Sequence, residues 1–234
     1  MRIVALGDTH GRDHWKQIVK DNPDADKFVF IGDYFDSWGL TFETQMQNFK
    51  DIIDFKKANL DRVVLLIGNH DFHYMPVAQE SYSGYQVEHA LEIGAILEWA
   101  MYYGLMQMAF ESDDFLYTHA GVTKTWVSKW VNGDWPTISD FINNLWLVSP
   151  EAFRFCGFDN TGDNVTQSPI WVRPKSLLVD HIDGYDQVVG HTTFHSINPL
   201  GDGGVAIYPI DCLATRMSSE YLEINDGLVK IKKL

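Results

Sequence analysis

Cysteine, positive charge and long apolar runs are all scarce in this chain, and each scarcity narrows what it can be. Cys156 and Cys212 are the only thiols among 234 residues, far apart and in no Cys-x-x-Cys pair. That excludes a disulfide framework and fits a reducing compartment, so a cytoplasmic location is expected. Lysine and arginine number 18 against 32 aspartates and glutamates, a formal net charge of −14. Such a surface repels phosphate backbones and offers no basic stripe, which argues against a nucleic-acid partner. It leaves room for a small phosphorylated ligand held at a metal centre. No run of about 18 apolar residues exists, so no membrane-spanning helix is expected. The opening MRIVALGDTHG has an apolar run of only five residues and no small-residue cleavage site, so it does not read as a signal peptide.

Apolar residues are plentiful, at 45%, with 14% aromatic. That composition rules out disorder, and the length suits one domain over residues 1–234. Residues 27–39, KFVFIGDYFDSWG, organise the rest. Residues 28–31 are a short apolar run that stops at Gly32, which is how a buried strand of a parallel sheet reads. Asp33 and Asp36 follow with no basic residue beside them. Two more runs end alike: residues 2–6 lead into Gly-Asp-Thr-His-Gly, and residues 63–67 into Gly-Asn-His-Asp. Ligands of open α/β sheets gather at the carboxyl ends of strands, so these blocks are expected to share one edge, with Asp33 in its middle.

Helices are expected over residues 12–20, 42–57, 88–103, 124–131 and 138–147, with Thr41 capping the second. In the third, Leu91, Ala95, Leu97 and Ala100 form the expected inner stripe. Residues 105–110 and 115–118 read as a hairpin delivering His119, and residues 186–189 as a strand delivering His191. Strand-like runs at 205–210, 221–224 and 228–232 follow, the last two joined by an Asn-Asp-Gly turn. Residues 157–167 are a Gly/Asn/Asp loop. Residues 72–104 break the alternation with Pro76 and Gly84 and are expected to form a lid or insertion over the site. The βαβαβ start favours an α/β fold.

In extended backbone, residues two apart point the same way, so Asp8 and His10 can grip one ion together. Asp33 adds a carboxylate shared between two ions, and Asn69, His119 and His191 supply donors for the second. Carboxylate and imidazole without thiolate suit Mn first, then Fe or Zn. Two ions about 4 Å apart activate a water and hold phosphoryl oxygens during in-line displacement. His70 can then protonate the leaving alkoxide as general acid, with Asp36 fixing its tautomer. Arg173 is a candidate phosphate clamp, with Asn69 beside it.

The blocks GDTHG (7–11), GDYFD (32–36), GNHD (68–71), His119 before Ala-Gly, and GHT (190–192) resemble the calcineurin-like metallophosphoesterases. That resemblance implies a β-sandwich of two sheets flanked by helices, with the metal site at the carboxyl ends of strands. It implies one ion held by Asp8, His10 and Asp33, and another by Asp33, Asn69, His119 and His191. Gly-His-Thr without a second histidine is similar to the branch of phosphoprotein phosphatases and symmetrical dinucleoside tetraphosphatases. Thr193 stands where other branches carry that histidine, and His195 comes two residues late. The branch's Asp-Arg-Gly is replaced after Asp36 by Ser37 and Trp38, which suggests a narrowed or aromatic-lined pocket. Trp171-Val172-Arg173 is similar to the phosphate-binding Trp-x-Arg of that branch. The implied substrates are phosphomonoesters, small or on a protein, with nucleotide, dinucleoside-polyphosphate or diester hydrolysis as the alternative. A metal-bound protein-binding scaffold is the third reading.

Outside these blocks the expected roles are structural. His14, His73, His89 and His181 are expected to be surface or hydrogen-bonded residues, Asp71 a hydrogen-bond partner, and the tryptophans from Trp126 to Trp146 core. Asp211 is expected to support the site.

Overall fold

A computed structural model of the chain describes residues 1–157, 159, 161–201, 204–213 and 219–234. The strands are β1 (Arg2–Leu6), β2 (Lys27–Phe30), β3 (Val63–Leu65), β4 (Ala109–Ser112), β5 (Phe115–Thr118), β6 (Asp186–Val189), β7 (Ile207–Pro209), β8 (Glu220–Asn225) and β9 (Leu228–Lys233). The helices are α1 (His14–Asp21), α2 (Phe42–Ala58), α3 (Asn69–Phe72), α4 (Ala90–Tyr102), α5 (Lys124–Trp130), α6 (Ile138–Val148) and α7 (Pro174–Asp180). Two of the residues in the expected loop at 157–167, at positions 158 and 160, lie outside the described residues.

The strands form two sheets, ordered β3-β2-β1-β8-β9 and β4-β5-β6-β7. Strands β1, β2 and β3 are parallel neighbours, and so are β5, β6 and β7. Alternation along the strands explains the layering. Ile3, Ala5, Val29 and Ile31 pack with Tyr117, Val188 and Ile210 in one core between the sheets. Val4, Leu6, Phe28 and Phe30 turn the other way, into a larger core with Trp15, Phe49 and Ile52 from the helices. Both faces of the first three strands are buried, so their sequences read as continuous apolar runs. This is the expected two-sheet sandwich flanked by helices.

Local signals place most boundaries. Thr41 accepts a hydrogen bond from the Thr44 amide and caps α2. Asp226 and Gly227, at φ 46° and 80°, make the two-residue turn between β8 and β9. The hairpin before His119 is shorter than expected, because residues 105–108 run outside β4 and the Gln107 amide bonds instead to the Leu65 carbonyl. The inner face of α4 also differs. It buries Ile93, Gly94, Leu97 and Ala100, whereas Leu91 is 92% exposed and Ala95 is also exposed. Gly94 is inside because a Cβ there would lie 2.5 Å from the Tyr74 carbonyl oxygen, so backbone packs where a side chain would otherwise sit.

Candidate metal centre

Strand order explains why the motif blocks meet. Because β2 lies between β1 and β3, Asp33 falls between the Asp8/His10 loop and the Asn69/His70 loop. The second sheet brings His119 and His191 to the same end from the neighbouring strands β5 and β6, where the Gly190 amide bonds to the His119 carbonyl at 2.7 Å. Among the described residues, seven non-glycine residues have positive φ, and four of them are His10, Asp33, Asp36 and His191. Left-handed backbone costs about 1–3 kcal/mol per residue, so its concentration here marks a site whose geometry the surrounding fold enforces. Gly190 is required by close approach: a Cβ would lie 2.0 Å from Asp8 Oδ1. The His191 amide donates to Asp8 Oδ2 at 3.0 Å, locking the two loops together.

Backbone carbonyls fix two imidazole tautomers. His119 Nδ1 lies 2.9 Å from the Ile31 carbonyl and His10 Nδ1 2.6 Å from the Phe35 carbonyl. A carbonyl only accepts, so each Nδ1 carries a hydrogen, and it is Nε2 that would offer a lone pair to a metal ion. His119 Nε2 then faces Asn69 Oδ1 at 3.0 Å and Asp33 Oδ2 at 3.3 Å, both acceptors. The same Asp33 oxygen is 3.9 Å from His10 Nε2. His191 Nδ1 lies 2.8 Å from Asn69 Oδ1, and burial, with the nearby Arg173 charge, holds its pKa well below the usual histidine value. Lone pairs converging on lone pairs repel unless a cation lies among them. Asp8, Asp33 and His119 bring their donor atoms within 4.8 Å of one another, all buried. Burial raises the Asp8 pKa, and the charge of Asp211 raises it further, ahead of that of Asp33. These residues fit a divalent cation, with the outer carbonyls orienting the imidazoles as metal sites require.

A second group, Asp36, His70 and His73, also brings metal-type donors within 4.8 Å. Its donors are instead paired with one another. His70 Nδ1 lies 2.9 Å from Asp36 Oδ2, and the Tyr74 hydroxyl donates to Asp36 Oδ1 at 2.5 Å. His73 Nε2 is 2.8 Å from Asp36 Oδ2 but outside hydrogen-bonding direction. Burial opposes the His70 imidazolium, but the charge of Asp33 and the hydrogen bond and charge of Asp36 outweigh it and raise its pKa to about 9. Burial likewise opposes ionised Asp36, yet its hydrogen bonds to His70 and neighbours hold its pKa below the usual value. The pair is therefore imidazolium and carboxylate at neutral pH.

Residues 1–195 match the family described as calcineurin-like phosphoesterase. The chain belongs to this family. It is also 24% identical, over 176 residues, to a symmetrical bis(5'-nucleosyl)-tetraphosphatase of Aromatoleum aromaticum, covering 66% of this chain and 60% of that protein. The chain therefore aligns with less than two thirds of that curated relative's length. A cold-active protein-tyrosine phosphatase of a psychrophilic Shewanella shares the fold, with a TM-score of 0.64 at 19% identity, covering 100% of this chain and 80% of that one. A protein serine/threonine phosphatase from Saccharomyces cerevisiae does so with a TM-score of 0.54 at 14% identity, over 100% and 80%.

This calcineurin-like phosphoesterase has two adjoining cavities at the strand ends. One, of about 290 Å³, is lined by Asp8, His10, Asp33, Asp36 and Asp211. The other, of about 460 Å³, is lined by Asn69, Tyr82, Phe155, Trp171 and Arg173. His70, Ser83 and His191 line both. Arg173 is held by bonds from Nη1 to the His191 carbonyl and Thr192 Oγ1, and from Nε to the Thr161 carbonyl. His195 is exposed and lines neither cavity. Trp38 does not narrow the site as expected. It stands 84% exposed at the rim of the smaller cavity, and the aromatic walls come from Tyr82, Phe155 and Trp171. Asp71 accepts from the amides of Asp33, Tyr34 and Gly68, and so clamps the metal-type loops rather than facing an ion. Sequence reading missed His73, Tyr74 and Gln86 as neighbours of Asp36. A histidine and a tyrosine one residue beyond Gly-Asn-His-Asp, just past the short helix α3, were the available signal.

Proposed function

We propose that this chain is a dinuclear metallophosphoesterase acting on phosphomonoesters, small or on a protein. The observation that carries the reading is the opposition of two charge states across one cavity. Asp33 Oδ2, Asn69 Oδ1, His10 Nε2 and His119 Nε2 turn acceptor atoms into the site, with Asp8 beside them, while half-buried His70 offers a proton. Asp8, His10 and Asp33 would hold one ion, and Asp33, Asn69, His119 and His191 the other, with Mn first and Fe or Zn as alternatives. When bound, such ions supply Lewis-acid polarisation of phosphoryl oxygens and a nucleophilic water near neutral pH.

The chain's own residues supply the rest. His70 donates Nδ1–H to Asp36, so Nε2–H is the proton available to the leaving oxygen. Asp36 keeps that imidazolium charged and oriented, and Tyr74 holds Asp36 in turn. Arg173 faces the larger cavity with its guanidinium prepositioned by three acceptors, which suits phosphate binding beside Asn69. Residues 72–104 act as a lid on a single domain: Tyr82 and Ser83 line the cavities, and the Gln86 side chain reaches Asp36 Oδ1 at 3.3 Å. No described helix is long and apolar enough to cross a membrane, and no disulfide involves Cys156 or Cys212, which supports a cytoplasmic site of action. The net charge of −14 speaks against nucleic acid as substrate.

A second reading has a specific observation behind it. The aromatic walls of the larger cavity suit a nucleobase, so a dinucleoside polyphosphate is the rival substrate. The test is a panel on metal-stripped protein refilled with Mn²⁺: an aryl phosphomonoester, an aryl phosphodiester, a phosphopeptide and a dinucleoside tetraphosphate. Metal-dependent turnover is expected to be fastest on a monoester. Preference for the tetraphosphate would move the function to the rival, and no turnover on any substrate would leave the scaffold reading.

A further inference from the structure

The family match ends at residue 195, and a further carboxylate reaches the metal centre from beyond it. Strand β7 runs parallel to β6 with Val189 opposite Pro209, and the Ile210 amide continues that pairing to the Val189 carbonyl at 2.7 Å. Asp211 therefore stands at the end of its strand just as His191 stands at the end of β6. Gly7 admits it. A Cβ on Gly7 would lie 2.0 Å from the Ile210 carbonyl oxygen and 3.2 Å from Asp211 Cα, so only glycine lets this segment press against the residue preceding Asp8.

The side chain is almost fully buried and half satisfied. Thr193 Oγ1 donates to Asp211 Oδ2 at 2.6 Å, while Oδ1 is buried with no hydrogen-bond partner among the described residues. That oxygen belongs to a residue lining the smaller cavity together with Asp8, His10 and Asp33. A buried carboxylate oxygen left without a donor is costly, and one placed among two other carboxylates is costlier still. A cation shared among the three removes both penalties.

We infer that Asp211 is an additional ligand of the ion held by Asp8, His10 and Asp33, oriented by the Thr193 hydroxyl. It takes the part that the missing second histidine leaves open. Thr193 itself stands at that histidine's position, and its hydroxyl aims a carboxylate from the next strand instead. The inference rests on the two-ion reading above.

The test measures binding rather than turnover. Metal-stripped wild type, Asp211→Asn, Thr193→Val and Asp33→Asn are titrated with Mn²⁺ by calorimetry and by the paramagnetic resonance signal of free Mn²⁺. The melting temperature of each is recorded without metal and with it. Asp211→Asn is expected to keep one ion at wild-type affinity and to lose about tenfold or more at the other. Its metal-induced rise in melting temperature is expected to shrink. Thr193→Val is expected to lose several-fold at the same ion, and Asp33→Asn to weaken both. Wild-type binding of both ions by Asp211→Asn, with Asp33→Asn impaired, overturns the role of Asp211 and leaves the metal centre standing. Wild-type binding by Asp33→Asn as well overturns the two-ion reading and this inference with it. If Asp211→Asn fails to fold without metal, unchanged affinity at both ions in Thr193→Val is the overturning result.

Discussion

His119, at the end of a strand in one sheet, hydrogen-bonds through Nδ1 to the carbonyl of Ile31, the residue just past β2 of the other, at 2.9 Å. This contact helps to join the sheets at the site and dictates which ring nitrogen is left to face Asp33. It makes the sandwich and the chemistry interdependent, since a small shift between the sheets would rotate a donor out of the cavity.

Gly190→Ala tests that coupling from the opposite loop. The added methyl would meet Asp8 Oδ1 at 2.0 Å, so the Asp8 and His191 loops must separate. A misplacement of about 1 Å in a catalytic constellation can cost on the order of a hundredfold in rate. Turnover is expected to fall by about that much, with Mn²⁺ content reduced and the far-ultraviolet spectrum unchanged. Wild-type turnover in this variant would show that the loops are not held as tightly as the contact implies.

His70→Asn is expected to lower kcat by about a hundredfold or more on an alkyl phosphate, because general acid catalysis is worth that much. The loss is expected to be smaller on an aryl phosphate, whose leaving oxygen needs a proton less. Equal losses on both would assign His70 to binding instead.

The pH profile follows from the same pair. As the general acid proposed above, His70 would have to be protonated to act, so activity is expected to be lost as pH rises through its pKa, about 9 in the metal-free protein. Bound cations share the charge of Asp33, which moves the loaded enzyme's alkaline limb below that value and leaves Asp36 as the main support. Asp36→Asn removes that support, and the limb is expected to move further down, towards about 6.5. A limb at the same pH in wild type and variant would mean that another group titrates.

Metal removal has its own pH signature. The folded-state pKa of His70 is raised, so its stabilisation is fully present below about 6.5 and lost as pH rises towards 9. The Asp8 and Asp211 pKa values are raised by burial, so their contributions begin to be lost at the unfolded value of about 4 and the loss ends at the folded value. The His191 pKa is depressed, which destabilises only as pH falls through its unfolded value, below this window. The melting temperature of chelated protein is therefore expected to fall by several degrees between pH 6.5 and 9. Mn²⁺-loaded protein should change less, and equal slopes would contradict the assignment.

Helix α4 offers a stability test. Leu91→Glu is expected to stay within about 0.5 kcal/mol of wild type in denaturant unfolding, as an exposed site should. Ile93→Ala, fully buried, is expected to cost about 2–5 kcal/mol. The reverse order would restore Leu91 to the inner face.

What could be read from residues alone was whatever depends on near neighbours in the chain. The buried parallel strands announced themselves as apolar runs halted by glycine. The Thr41 cap, the Asp226–Gly227 turn and the five motif blocks are likewise short-range patterns, and they placed Asp8, His10, Asp33, Asn69, His119 and His191 correctly at strand ends. Helix α4 defeated periodicity because nearly every residue of its first two turns is apolar, so either face could have gone inward. The choice fell to the Tyr74 carbonyl, which only Gly94 could accommodate. The partners of Asp36, and the unpaired oxygen of Asp211, were invisible for another reason. They arise between segments from tens to some two hundred residues apart, brought together by strand order and by the packing of one sheet on the other. No local pattern encodes that juxtaposition, because the energy that enforces it is spread over two cores rather than written at the site.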